Sequence, residues 1–206
     1  MRFRPLSPMN LADEVSAQIA AVPSRARVII DGAAPTSPGT LADEIAARLR
    51  VAGRPVVRVS ASDFLRPASL RFERGRTDSD ARYSDWLDAD GLRREVLDPR
   101  THRVLPRLWN AETDRSARAD YVPVPPEGVV ILDGEFLLGR GFPAEFTVHL
   151  WLSAQAMSRR LAADEQWACP AFARYEREVR PLYVADVGVR ADDPSRLAVR
   201  TASVSS

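Results

Sequence analysis

The stretch RVIIDGAAPTSPGTLADEIA, residues 27–46, joins an apolar run to a helix-like pattern through a short loop holding Gly32 and Gly39. In such a loop, successive backbone N–H groups and the start of the helix can surround a phosphate. Full phosphate chemistry also asks for a lysine reaching the outer phosphates and a hydroxyl for magnesium. Laid on the pattern G-x-x-x-x-G-K-[ST], the chain offers Gly32, Ser37, Pro38 and Gly39, so only the first position is kept. Pro38 removes the cation and also an N–H that would point at a phosphate. The remaining candidate nucleotide contacts are Gly32, Thr36, Ser37, Gly39 and Thr40. Thr40 supplies a hydroxyl if the register moves by one residue, and it serves equally as the N-cap of a helix starting at Leu41. Taken alone, the segment fits a plain strand-to-helix turn as well as it fits a nucleotide site.

A second chemistry-bearing feature is VVILDGEFLL, residues 129–138, a buried-strand pattern that ends at Asp133-Gly134. Acids at strand ends of a parallel sheet face the ligand crevice, whereas an aspartate that merely caps a turn does not. Between residues 61 and 86, Arg66, Arg71, Arg74, Arg76, Arg82 and Tyr83 are able to hold an anionic or sugar-like substrate, although most of these arginines read as surface charge.

The elements that must position these groups follow from periodicity. Leu11, Val15, Ile19 and Val22 mark a leading amphipathic helix with Asn10 as N-cap, and Leu41, Ile45 and Leu49 mark the helix after the loop. Strands are expected at 27–30, 54–60, 129–138, 146–153 and in the short DVGVR run, with His149 lying in a sheet rather than on a ligand. Residues 88–99 read as a helix stopped near Pro99, and AQAMSRRLAADEQW and AFARYEREVRPLYVA carry further helix signals. Helices between short β-branched strands imply an α/β, three-layer arrangement. The expected sheet has about five parallel strands with helices on both faces. LADE recurs at 11 and 41, each time after Ser-Pro and two residues, which is shared helix-start chemistry rather than a repeat.

Composition removes several function classes. The net charge of +1 has its arginines and acids interleaved, which is not the footprint of a nucleic-acid partner. All 29 basic residues are arginine, so lysine chemistry must come from another chain. One cysteine, Cys169, and two histidines, His102 and His149, leave no disulfide and no structural zinc set. With no signal-like or spanning apolar run, neither a membrane partner nor a compartment other than the cytoplasm is expected. Association into a homo-oligomer is left open.

Read in order, the segments resemble the uridine kinase and phosphoribulokinase-like branch of P-loop kinases, especially its short actinobacterial-type members. The likeness runs over about residues 25–195: RVIIDG with LADEIAARL, RPVVRVSASDFLRP, RYSDWLDADGLRREVLDP, VVILDGEFLL, VHLWLS, MSRRLAADE and RYEREVRPLYVADVGVRADDP. It implies a kinase-like domain over 25–200, with a substrate loop at about 61–86 and a lid at about 155–172. Residues 1–24 are then an appended helix and 201–206 a tail. The implied activity is transfer of the γ-phosphoryl group of ATP, with Mg, to a hydroxyl of a small molecule, a nucleoside or similar. The resemblance places the proton-accepting base in Ser62-Asp63-Phe64, where strict register puts Ser62 at the base position and Asp63 beside it. It places Asp133 close to magnesium or substrate, together with Thr40 as the hydroxyl ligand. Arg159 and Arg160 would serve the phosphates as lid arginines. His102, Arg103, Arg107 and Trp109 fall where nucleoside kinases close over the substrate, and Trp109 is suited to stack on a base. Ser62, Phe64, Tyr83, His102, Arg103 and Trp109 are accordingly the expected substrate contacts.

Two classes of function follow. In one, the chain is a kinase that works slowly or with rearranged groups. In the other, the fold is kept for ligand binding, regulation or a different reaction.

Overall fold

The computed structural model describes residues 2–98 and 100–201. Five strands form the parallel centre: β2 (Ala26–Gly32), β3 (Val56–Ser60), β4 (Val129–Gly134), β5 (Phe146–Trp151) and β6 (Val187–Arg190). β2 and β4 read as continuous apolar runs because helices cover both of their faces, and Val28, Ile30, Val129, Ile131 and Leu132 are fully buried. Two further strands, β1 (Arg2–Leu6) and β7 (Leu197–Thr201), extend the sheet. The order is β1-β7-β6-β5-β2-β4-β3, with β1 and β7 antiparallel. The parallel centre thus has the expected five strands, and two further strands bring the sheet to seven. The two extra strands, RFRPL and LAVRT, sit at one side of the sheet and are mostly exposed or partly exposed, so they lack the apolar run that marks the central strands.

The leading helix α1 (Pro8–Ala20) buries Leu11, Ala12, Val15 and Ile19, and it packs on α2 (Pro38–Val51). Both helices start earlier than expected. Ser7 caps α1 by accepting the Asn10 N–H at 3.2 Å, so Asn10 is not the cap. In α2 the boundary residue is Ser37 rather than Thr40, and Pro38 takes the first helical position, where its missing N–H costs nothing. The repeated Ser-Pro thus opens both helices, but differently. Ser7 is extended, whereas Ser37 is left-handed, with φ 55° and ψ 55°, and makes no side-chain cap.

The segment 61–86 is not an irregular loop. It folds as a 3-10 turn at Ala61–Phe64, a helical turn at Ala68–Arg71 and α3 (Ser79–Ser84). Asp78 caps α3 by accepting the Ala81 N–H at 2.6 Å. The expected helix at 88–99 is a short α-turn, Ala89–Leu92, running into a π-turn, Arg93–Leu97; Pro99 lies outside the described residues. The segment expected to act as a lid folds as α4 (Ala154–Arg160), a 3-10 stretch and the start of α5 (Cys169–Val179).

β2 and β4 pair Ile30 with Asp133 and Asp31 with Gly134. Paired residues in a parallel ladder point to the same face, and successive residues point to opposite faces. Asp133 is therefore directed to the α2 side and Asp31 to the α5 side.

Candidate functional site

At the C-terminal end of the sheet, the start of α2, the turn after β3 and the turn after β4 enclose a crevice of 490 Å³. This is the position where open parallel sheets bind ligands. Ser37, Gly39 and Thr40 line one wall, Ser60 and Ser62 another, and Asp133, Glu135, Arg82, Arg140 and Trp86 supply the remaining polar atoms.

Asp133 is 6% exposed and ion-paired to Arg58 at 2.8 Å. That guanidinium is the partner of Oδ1, which has no other polar neighbour within hydrogen-bond geometry among the described residues. Burial pushes the Asp133 carboxyl above the usual aspartate range, and Arg58 opposes that shift. The other carboxylate oxygen faces Gly39, where an added Cβ would come within 3.2 Å of it. A side chain at 39 would thus crowd the acid against the helix start. Arg58 also bonds Asp43 at 2.8 Å and the Gly39 carbonyl at 3.2 Å, tying β3, α2 and Asp133 together.

Glu135 reaches from the turn after β4 to the loop, where its Oε1 accepts the Ala34 N–H at 2.7 Å. A carboxylate therefore holds one of the loop's N–H groups. Its other oxygen pairs with Arg82 at 2.7 Å. Burial raises the Glu135 pKa, against the pull of Arg82 and the Ala34 N–H. Arg140 has a different environment. It donates to the Phe136 and Tyr83 carbonyls, each at 2.6 Å, and appears in no salt bridge among the described residues. Burial lowers its pKa. The crevice thus holds one paired guanidinium and one without a carboxylate partner. Arg82 Nε and Trp86 Nε1 are buried there without hydrogen-bond partners among the described residues.

The expected contacts divide sharply. Ser37, Gly39, Thr40, Ser62 and Asp133 come together in the crevice. Thr36 instead bonds the Ala33 carbonyl at 2.7 Å, closing its own turn. Gly32 is buried beside Leu150, where a Cβ would meet Thr36 Oγ1 at 2.6 Å and Leu150 Cβ at 2.9 Å. Asp63 turns away to an ion pair with Arg107 at 2.9 Å, and burial raises its pKa. Phe64 is 0% exposed and belongs to the core. Tyr83 packs edge-on against Phe136. His102 bonds Arg25 at 2.9 Å, Arg103 lies over the Tyr121 ring, and Trp109 donates to Asp114 at 3.1 Å. None of these three lines the crevice. Arg159 is exposed. Arg160 clamps the loop by donating to the Pro35 carbonyl and, at 2.7 Å, to the Ala191 carbonyl.

Arg58, Glu135 and Arg140 were not anticipated as site residues. Each had a weak signal: an arginine within the strand PVVRVS, an acid two residues beyond Asp133, and an arginine between two glycines. A smaller cleft of 200 Å³ lies on the other side of the loop, beside Thr36, Thr40 and Arg160, and is bounded by Pro8 and Leu11 of α1.

Among the described residues no group of three or more His, Cys, Asp or Glu side chains is arranged to hold a metal. A magnesium ion carried by phosphates needs only one or two carboxylates. Asp133, whose Oδ2 faces the start of α2 beside Gly39, and the exposed Thr40 fit that limited role.

No family profile and no curated protein matches the sequence. Solved structures do match the fold. A possible uridine kinase from Bacillus stearothermophilus superposes with a TM-score of 0.71 at 20% identity, covering 86% of this chain and 96% of that one. A provisional fructose transport system kinase from Silicibacter sp. TM1040 superposes with a TM-score of 0.61 at 21% identity, covering 84% and 95%. The chain has the mixed α/β fold of these P-loop kinases, a mostly parallel sheet flanked by helices, with the loop of residues 32–40 following β2.

Proposed function

We propose that the chain is a small-molecule phosphotransferase whose crevice takes a nucleoside or sugar-like hydroxyl compound and whose phosphoryl donor is ATP with Mg. The supporting observation is the pair of buried donors left without partners around one cavity, Arg82 Nε and Trp86 Nε1, beside the buried carboxylate of Asp133. Buried polar atoms without partners cost stability, so their concentration at the fold's ligand crevice points to groups completed by a ligand. Ser37 adds to this reading. It stands where the phosphate-loop pattern has its second glycine and keeps a left-handed backbone. A serine pays strain for that conformation, of about 1 kcal/mol.

In this arrangement the acceptor hydroxyl lies between Ser62 and Asp133. Asp133 orients that hydroxyl, whose proton leaves on the transferred phosphoryl group, because Asp63 faces Arg107 instead. Arg140 and Arg82 supply the positive charge that Pro38 removes from the loop. Asp133 and Thr40 would hold Mg, which neutralises phosphate charge when bound. Loss of a positioned cation in phosphoryl transfer costs up to about 10³-fold or more, so turnover is expected to be slow.

A second reading, the fold kept for binding alone, is favoured by Glu135, whose carboxylate sits on the loop's Ala34 N–H where an anion would bind. Turnover of radiolabelled ATP against a panel of nucleosides and sugars separates the two. Transfer to one acceptor class, abolished in Asp133→Asn, supports the phosphotransferase. Saturable acceptor binding with no transfer supports the second reading.

A further inference from the structure

A cavity of 550 Å³ opens between the end of β5 and α5, on the sheet face opposite the crevice. Its size is that of a small-molecule site. The walls are apolar and aromatic: Phe136, Leu150, Trp151, Met157 and Phe172. Phe136 and Phe172 pack with their centroids 4.7 Å apart.

At the inner end stands a charge network that the phosphotransferase reading does not use. Asp31 is 0% exposed and accepts three bonds: from the Leu137 N–H at 2.9 Å, from Tyr175 OH at 2.8 Å and from His149 Nδ1 at 2.6 Å. A carboxylate can only accept, so His149 must present Nδ1–H to it. That commits one ring nitrogen and directs the other away. His149 is 4% exposed, yet its Nε2 has no hydrogen-bond partner among the described residues. The nearest acid is Glu176, with Oε1 at 3.7 Å, too far for a hydrogen bond, and its side chain is partly open to solvent. Both residues line the cavity. Two flanking carboxylates favour the imidazolium against the opposing effect of burial, and in that form Nε2 is a donor.

Nε2 as donor and Glu176 as acceptor, 3.7 Å apart with no hydrogen bond between them, form the complement of a carbonyl next to an N–H. We propose that this cavity is a second ligand site, which takes a planar heterocycle through a lactam edge. The carbonyl accepts from His149 Nε2, the ring N–H donates to Glu176, and the ring lies among Phe136, Trp151 and Phe172. Asp31 and Tyr175 act as positioning residues, fixing the imidazole orientation. The site stands independently of ATP binding in the crevice.

The test is titration of the full chain with 2-pyridone, followed through the imidazole and indole N–H resonances by NMR. Saturable shifts at His149 and Trp151 are expected. N-methyl-2-pyridone, which lacks the N–H, and the variant Glu176→Met should each weaken binding about tenfold, as expected for one lost charge-assisted hydrogen bond. Ala173→Trp, built from an exposed wall position, should abolish the shifts while leaving the melting curve in place. Three results would overturn the proposal: no saturable shift up to about 20 mM probe, a range that still detects weak millimolar binding; equal affinity for the N-methyl compound; or unchanged affinity in a folded Glu176→Met.

Discussion

Asp31 and Asp133 end neighbouring strands one register step apart, yet they lie in opposite surroundings. Asp31 is enclosed on the α5 face and is met by three donors from β5, α5 and the turn after β4. Asp133, on the α2 face, is paired through Oδ1 with Arg58 alone and turns Oδ2 toward Gly39 at the start of α2, beside the crevice. A carboxylate whose acceptor capacity is filled belongs to the structure, while one left partly open is available to a ligand. Sequence position alone does not distinguish them, since both precede glycine at the end of an apolar run.

The largest expected effect breaks the first half of that contrast. Asp31→Ala strands the Leu137 N–H, Tyr175 OH and a charged His149 and should cost about 3–5 kcal/mol in denaturant unfolding. A loss under about 1 kcal/mol would show that the network is not structural. Next come the binding effects in the crevice. Asp133→Asn should weaken MgATP about tenfold with a melting curve near that of the parent chain, whereas Thr40→Ala should change affinity no more than about threefold. Equal effects would count against Asp133 as the ligand-facing acid. Glu135→Gln replaces the charge on the Ala34 N–H with a neutral amide and leaves Arg82 without its carboxylate. ADP affinity should then rise several-fold, and a fall would mean that Glu135 assists the nucleotide.

The pH dependence sharpens the comparison from the Asp31 side. The titratable groups facing His149 are Asp31 from β2 and Tyr175 and Glu176 from α5. Burial alone would lower the His149 pKa, but the bond to Asp31 and the nearby Glu176 outweigh it and leave it above the ordinary 6.5. A histidine raised on folding stabilises in full below its unfolded pKa, and that contribution fades as pH rises through the folded value. Melting temperature should therefore fall with pH above 6.5 in the parent chain, and His149→Gln should flatten that slope. An unchanged slope would remove His149 as its source. The smallest effect is expected at Ser37: glycine there relieves left-handed strain and should stabilise by about 0.5 kcal/mol, offset in part by its greater unfolded freedom. Destabilisation would show that the serine side chain has a role of its own.

The central strands and their helices were legible because burial on both sides writes uninterrupted apolar runs and 3.6-residue spacing into the chain, as in VVILD and in Leu41, Ile45 and Leu49. β1 and β7 were not, because RFRPL carries two exposed or partly exposed arginines and a proline whose pairing partner lies almost the whole chain away. The strand-end position of Asp133 was readable, but which of the two strand-end aspartates lines the crevice was not. The Glu135 bond to Ala34 spans 101 residues and the Tyr175 bond to Asp31 spans 144, and neither leaves a local pattern. Phe64 illustrates the converse. Its place in Ser-Asp-Phe suggested a substrate contact, but an aromatic at the end of a 3-10 turn beneath the sheet edge is simply core.

The central claim is that the 32–40 loop and Asp133 still form a site for nucleotide beside the acceptor crevice. Isothermal titration of the full chain with MgATP tests it most directly. A saturable heat that is strongly reduced in a folded Asp133→Asn is the expected result. No detectable heat at millimolar nucleotide would contradict it and leave a kinase fold without its donor.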